Sequence, residues 1–484
     1  MGKIFFCLLL FSVSAHSQTF QDFVNRVNAA PVAQRSAIVD SFMNAVPVFP
    51  YREQDTLCHF LYRGNVNSVE VPGDANGWNP AAFASARLTT TNLWYLTKVF
   101  PGDTRLDYKL VLNGSNWILD PRNPYQVSGG FGPNSELRMP AFAPPPEIEF
   151  YPGIPHGTLR DTTFFSNHLG NARTLRVYLP PLYDSTNERY PVVLFHDGLE
   201  YLSLAKADNV LNYLIAQKRL VPVIAVFVPP VRRREEYATS LQDQFTAFIV
   251  EEVMDWIDRR YRTRTDPAAR AVLGSSDGGN ISLWIGARHP EVFGNVAALS
   301  SNVEPNVAAG YSNSPLLALK LYLDMGTYDI PVLLPRMQVF LPSLSAKGYD
   351  FVFREIHDGH SWGNWRGHID EALQLFFPGP ALRVHDRAPA PPAQHELSSY
   401  PNPFRRETAI RFALGRKSHI QLSIFNIQGQ LVRELVAGEY PAGEHTWIWR
   451  GENAHGVLQA NGVYFYRMQI NGQVVAAQRV VLLR

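Results

Sequence analysis

Cysteine is almost absent. The 484 residues hold two, Cys7 and Cys58. Cys7 falls inside an N-terminal apolar run, so loss of that run leaves Cys58 alone and excludes an internal disulfide, even in a compartment that favours one. Charge of one sign is also lacking. Forty-four basic and 43 acidic residues leave a formal net charge of +1. That gives no footprint for nucleic acid or an anionic membrane, and no acidic tail. Beyond the N-terminus no segment is long and apolar enough to span a bilayer, so no transmembrane segment is expected. The one histidine-rich stretch, with His357, His360 and His368, lacks the i, i+4 pair of a zinc helix and has no cysteine nearby. No metal or cofactor is expected.

What is there begins with MGKIFFCLLLFSVSAHSQ. One lysine, an apolar run from Ile4 to about Val13, and small residues at Ala15 and Ser17 read as a secretory signal peptide over residues 1–17. Apolar residues make up 46% of the chain and charged ones 18%, enough for several cores, and the length suggests about three domains.

Composition shifts divide the remainder. Residues 18–55 read as a helical segment, with Phe20, Phe23, Val24 and Val27 at helical spacing. Residues 56–143 turn to short β-type runs between turns, the pattern of a β-sandwich. A proline-rich linker covers 144–157. From 158 to 378 strand and helix signals alternate: LRVYLPP, PVVLFHDG, VPVIAVFVPP, ARAVLG, NVAALSS, KLYLDMG and YDFVFREI as strands, with helices between. One helix, SLQDQFTAFIVEEVMDWIDRRYR, puts Phe245, Phe248, Ile249, Val253, Trp256 and Ile257 on one face, with Ser240 as its N-cap. Such alternation argues an α/β fold with a parallel sheet covered on both faces. A second linker, rich in proline and alanine, covers 379–397, and residues 398–484 read as a small β-sandwich.

The stretch AVLGSSDGGN carries the chemistry. Gly274-Ser275-Ser276-Asp277-Gly278 fits G-x-S-x-G, after an apolar strand and before a helix. That context makes a nucleophile elbow and Ser276 the nucleophile. Glycines two before and two after the serine relieve crowding on the sharp turn. A serine hydroxyl needs a base, and the usual chain order places an acid and then a histidine after it. His360, directly after Gly359 at the end of the last strand, can swing over Ser276; His357 reads as strand-end structure and His368 as part of the following helix. Asp324 and Asp329 compete for the acid. Asp329 lies in the loop with room to reach the imidazole, whose tautomer it would hold. The oxyanion hole needs two backbone N–H groups: Asp277, next to the nucleophile, and Leu199, after the turn at Gly198.

These residues carry a resemblance. PVVLFHDGLEY, RRREEY, VLGSSDGG, LYLDMGTYD and DGHSWGNWR make residues 158–378 resemble the esterase D and enterochelin esterase-like branch of α/β-hydrolases, which also holds feruloyl and acetylxylan esterases (carbohydrate esterase family 1) and mycolyltransferases. The resemblance implies the same roles for Ser276, His360 and Asp329, and the same oxyanion donor at Leu199. Asp277 departs from the bulkier apolar or amide residues common there. It also implies that RRREEY borders the site, which offers Arg234 for an acidic substrate, although three arginines also fit a solvated face. Trp362, in the tryptophan-rich signature, is a further substrate-binding candidate.

Residues 56–143 resemble the early-set sandwich related to glycogen-binding modules, through VPGDANGWNP, YKLVLNG and DPRNPY; Trp78, Trp94 and Trp117 are either a sugar platform or packing residues. Residues 398–484 resemble the C-terminal sorting domain of type IX secretion, through YPNPF, IFNIQGQLV, GVYFYRMQ and RVVLLR. The expectation is therefore an α/β-hydrolase catalytic domain between two immunoglobulin-like sandwiches. The implied function is a serine carboxylic-ester hydrolase that is exported through the periplasm and across the outer membrane by the type IX machinery, then secreted or held at the cell surface. Location favours feruloyl or acetyl esters on polysaccharide. A siderophore esterase, an acyltransferase and an inactive glycan-binding surface protein stay open as alternatives.

Overall fold

The computed structural model describes residues 19–380 except Phe131, and 397–483 except residues 403, 415, 416, 427–429, 442, 471 and 472. The expected signal peptide, Cys7 and nearly all of the second linker lie outside the described residues. The chain divides into two units, Met1–Pro380 and Ala381–Arg484.

In the first unit, two helices open the chain, Phe20–Ala29 and Val32–Ala45, split at Pro31. Thr19 caps the first: its hydroxyl accepts from the Asp22 N–H at 3.1 Å, and its own N–H donates to the Asp22 carboxylate at 3.1 Å. Phe20, Phe23, Val24 and Val27 are buried with Val39 and Met43 against Leu61, Leu88 and Leu93. The next strands form three small antiparallel sheets. The first of these strands, Tyr51–Glu53, precedes the expected boundary at 56 because it pairs with Leu57–Arg63. Arg105–Tyr108, Gly132–Arg138 and Gln126–Gly129 form another sheet. Cys58, Phe60, Val71, Leu106, Tyr108 and Leu137 fill the sandwich core. Trp94 is buried in a separate small cluster with Val69 and Leu112. The Trp78 indole donates to Asp74 at 3.0 Å, and Trp117 is exposed.

Eight strands then build one sheet: β1 (Thr158–Ser166), β2 (Asn171–Leu179), β3 (Val192–His196), β4 (Ile224–Val228), β5 (Arg270–Ser275), β6 (Asn295–Leu299), β7 (Lys320–Tyr328) and β8 (Asp350–Gly359). Their order is β1-β2-β4-β3-β5-β6-β7-β8. β4 through β8 run parallel, with β3 between β4 and β5. The β1–β2 hairpin adds an antiparallel edge that alternation of strand and helix signals does not reveal. Every residue of β3, β4, β5 and β6 is buried, as continuous apolar runs in a doubly covered sheet require. One core lies on each face.

The long helix after β4 corrects one expectation. It starts at Gln242 behind Leu241, and Ser240 caps nothing. The Leu241 N–H bonds the Glu235 carbonyl at 3.0 Å, so the chain is still closing the preceding helix, Arg233–Ala238, at that point. A π-helical turn, Phe248–Val253, interrupts it before Met254–Arg260. Phe245, Phe248, Ile249, Val253 and Ile257 are nonetheless all buried.

The second unit, by itself, is a pair of sheets. Ser398–Tyr400, Thr408–Leu414 and Gly443–Trp449 form one; Leu431–Tyr440, Ser418–Asn426, Gly462–Ile470 and Gln473–Leu482 form the other. Ile410, Phe412, Ile420, Leu422, Trp449, Met468 and Val480 lie between them. Among the described residues no helix is long and apolar enough to cross a membrane.

Candidate active site

β5 runs into the helix Asp277–Arg288 through a single residue, Ser276, at φ +57°, ψ −121°. A non-glycine residue there is strained, and three hydrogen bonds hold it. The Ser276 N–H donates to Leu299 O at 2.9 Å, while Asn280 and Asn302 N–H groups donate to Ser276 O at 3.1 and 3.2 Å. The flanking glycines are needed for space. A Cβ on Gly274 would lie 2.3 Å from Gly278 O, and one on Gly278 would meet the Asp197 carboxylate at 3.0 Å. The backbone geometry is that of the elbow the sequence pattern implies.

Two loops at the same edge of the sheet complete a chain of hydrogen bonds. Asp329 follows β7, and a register shift between Gly326 and Tyr328 in the β7–β8 ladder turns the strand end. His360 follows β8. Its Nδ1 donates to Asp329 Oδ1 at 2.7 Å, and its Nε2 accepts from the Ser276 hydroxyl at 2.9 Å. Asp329 Oδ1 also accepts from the Ile330 N–H at 2.7 Å. The Asp329 side chain is buried, and that of His360 is only 16% exposed. The structure thus brings Ser276, His360 and Asp329 together and leaves the other candidates outside. His357 Nδ1 bonds Asp103 at 2.6 Å. His368 sits at the N-terminus of the helix Ile369–Phe376 without a side-chain cap bond; burial disfavours its charged form, but Glu371 and Asp324 outweigh that and raise its pKa. Asp324 sits within β7, accepting the Ser300 N–H at 2.8 Å. Burial pushes its carboxyl up to about 7, with the His368 charge opposing.

Leu199 lies in the first turn of the helix Gly198–Ser203, directly after β3. Asp277 begins the helix after β5. β3 and β5 are neighbours, so two helix starts, with N–H groups free of intrahelical acceptors, flank the Ser276 end of the sheet. Asp197, at φ +52°, sets the first of these turns. Arg233 grips its carboxylate with two bonds of 2.8 Å each.

Arg234 is exposed yet paired. It donates to Asp277 at 2.7 Å and to Glu304 at 2.8 Å. Asn302 also donates to Asp277, at 2.8 Å, and Arg336 pairs with Glu304 at 3.1 Å. The Asp277 side chain, unusual by resemblance, therefore anchors this network. The cluster lines a cavity of about 300 Å³ that opens on Ser276; Ile330, Val332 and Leu333 supply its apolar wall. Sequence reasoning missed Arg233, Asn302, Glu304 and Arg336. Only Arg233 carried a signal, as part of RRREEY. Trp362 does not line that cavity. Its ring packs edge-on against Tyr201 at 5.1 Å and Trp365 at 4.9 Å, and Trp365 packs on His360 at 5.1 Å.

Residues 166–376 match the family model described as "Putative esterase", and residues 405–473 match the FlgD Ig-like domain. YjcH, an uncharacterized protein of Bacillus subtilis, is 27% identical over 234 residues, 45% of this chain and 97% of that one. An endo-1,4-beta-xylanase/feruloyl esterase of Xylanibacter ruminicola is 29% identical over 230 residues, 44% of this chain but 31% of that protein. Among solved structures, the enterobactin esterase of Shigella flexneri aligns with a TM-score of 0.59 at 20% identity, over 70% of this chain and 97% of its own. That likeness is one of fold.

Proposed function

Taking the chain as a carboxylic-ester hydrolase, on the esterase-family match of residues 166–376, we propose that Ser276, His360 and Asp329 form its catalytic triad. The observation that carries this reading is the continuous hydrogen-bond chain from Asp329 through His360 to Ser276 Oγ on a positive-φ elbow. Ser276 Oγ attacks the ester carbonyl carbon, and its proton passes to His360 Nε2 and then to the departing alcohol. Water next attacks the acyl-Ser276 carbonyl and gives its proton to the same nitrogen. His360 returns that proton to Ser276 as the acid leaves. Asp329 holds the tautomer and stabilises the imidazolium. The N–H groups of Leu199 and Asp277 receive the oxyanion, each a contribution of about 3 kcal/mol to the barrier.

The substrate we propose is a polysaccharide-linked ester, feruloyl ahead of acetyl. The feruloyl esterase relative favours it, as does a cavity of about 300 Å³ with one apolar wall and a polar edge of Arg234, Asn302 and Arg336. That combination suits a hydroxylated aromatic acyl group better than a methyl. A siderophore ester is the second reading, favoured by the fold likeness to enterobactin esterase. Replacing water by an alcohol would make the same site an acyltransferase. We further propose export: a signal peptide over 1–17 and residues 398–484 as a type IX sorting domain, with secretion or surface attachment as the outcome; the linkers and domain limits are as read from the sequence, except that the N-terminal sandwich begins at Tyr51. The test is hydrolysis of methyl ferulate, acetylated xylan, p-nitrophenyl acetate and a catecholate siderophore, beside Ser276→Ala. Turnover of the ferulate that vanishes in the variant is expected. A folded wild type inert on all four would sink the hydrolase reading.

A further inference from the structure

The N-terminal sandwich reaches the histidine loop from behind. Arg105, on the strand Arg105–Tyr108, is 1% exposed. Its Nε donates to Glu136 at 2.7 Å, and its Nη2 bonds Asp107. Those two partners belong to the sandwich. Its Nη1 leaves the sandwich and donates to Asp358 Oδ1 at 3.2 Å and to Ser361 Oγ at 2.9 Å. Asp358 and Ser361 bracket His360. One guanidinium nitrogen therefore holds the chain on both sides of the imidazole.

The fit around it is close. A Cβ on Gly363 would lie 1.9 Å from Arg105 Nη2, and one on Gly359 would lie 2.1 Å from Asp74 Cγ. His357 meets Asp103, Arg366 meets Glu136 at 3.3 Å, and Phe100 packs on Tyr328, next to Asp329, at 5.9 Å. The loops bearing both Asp329 and His360 thus rest on the sandwich. Three carboxylates around one buried guanidinium are poorly explained as a stability device, since buried ion pairs roughly break even. A rigid fork that fixes several acceptors at once is what arginine supplies and lysine does not.

We propose that Arg105 is a positioning residue for His360, and that the sandwich is part of the hydrolase's active unit through it. This rests on the triad reading. The test measures kcat and KM on methyl ferulate for the full chain, Arg105→Lys and Ser361→Ala. Each is normalised to sites titrated to the end point with a fluorophosphonate, with Ser276→Ala as control. Arg105→Lys keeps the neutralising charge but loses the fork. A misplaced imidazole should lower its kcat per titrated site by about 100-fold, with KM moving less than about threefold. Ser361→Ala should lose about 3- to 10-fold. A role in folding alone would reduce the number of titrated sites and leave kcat per site unchanged, and that result overturns the inference. If Arg105→Lys yields no folded protein, Ser361→Ala decides by the same criterion. Activity that survives Ser276→Ala overturns the triad and the inference with it, whereas normal per-site kcat in Arg105→Lys beside an inert Ser276→Ala overturns the inference only.

Discussion

Asp324→Asn should stabilise this protein at alkaline pH and leave it active. Asp324 is fully buried on β7. Its Oδ1 accepts the Ser300 N–H, and its Oδ2 has no hydrogen-bond partner among the described residues. Burial raises the carboxyl from 3.8 to about 7, against the pull of His368, with Asp329 adding to the rise. A carboxyl raised on folding takes up a proton that the unfolded chain has lost. Its contribution is neutral below about pH 4, turns against the folded state as pH climbs from 4 to 7, and stays unfavourable above. Roughly three pKa units at 1.36 kcal/mol each set an upper bound of about 4 kcal/mol. Asparagine keeps the acceptor for Ser300 and removes the charge. The variant should melt several degrees above wild type at pH 8, and the gap should shrink to less than half at pH 5, closing only near pH 4. The assay follows loss of esterase activity and tryptophan fluorescence on heating at both values. A variant that melts below wild type at pH 8, or one whose advantage is larger at pH 5, would refute the reasoning. Activity discriminates as well. Asp329→Asn should lower kcat about 10⁴-fold through the wrong imidazole tautomer, whereas Asp324→Asn should stay within a few-fold of wild type.

Gly274→Ala places a Cβ 2.3 Å from Gly278 O; the elbow cannot close around it, and activity and melting temperature should fall together. Arg336→Ala removes one edge of the cavity without touching the hydrogen-bonded triad, so KM for methyl ferulate should rise about tenfold with little change in kcat, as steady-state kinetics will show. Cys58 is fully buried, and burial raises its thiol pKa. It should resist a disulfide-exchange reagent in the folded protein and react after denaturation.

Local signals made the elbow readable: an apolar strand, G-x-S-x-G and a helix occupy one short stretch of chain, and their geometry follows from adjacent residues. The buried strands were readable for the same reason, since an unbroken apolar run suits a sheet covered on both faces. Asp329 and His360 emerged by position after strand ends, not by any period. What stayed hidden was made by pairing across distance. Arg233 on Asp197, Arg234 on Asp277 and Glu304, and Arg105 on Asp358 join residues with no common repeat. The π-helical turn was invisible because the apolar spacing tolerates one extra residue. Ser240 misled because a local cap preference lost to the Leu241–Glu235 backbone bond. Trp94 illustrates the same limit: a tryptophan in a β-rich region reads as platform or as core until its neighbours, Val69 and Leu112, are known.

The most direct measurement is rapid-quench mass spectrometry of the full chain mixed with methyl ferulate, followed by peptide mapping. A transient feruloyl adduct is expected on the peptide that contains Ser276, absent in Ser276→Ala and longer-lived in a His360 variant acylated by an activated ester. Turnover with an adduct on another residue, or turnover that persists in Ser276→Ala, would contradict it.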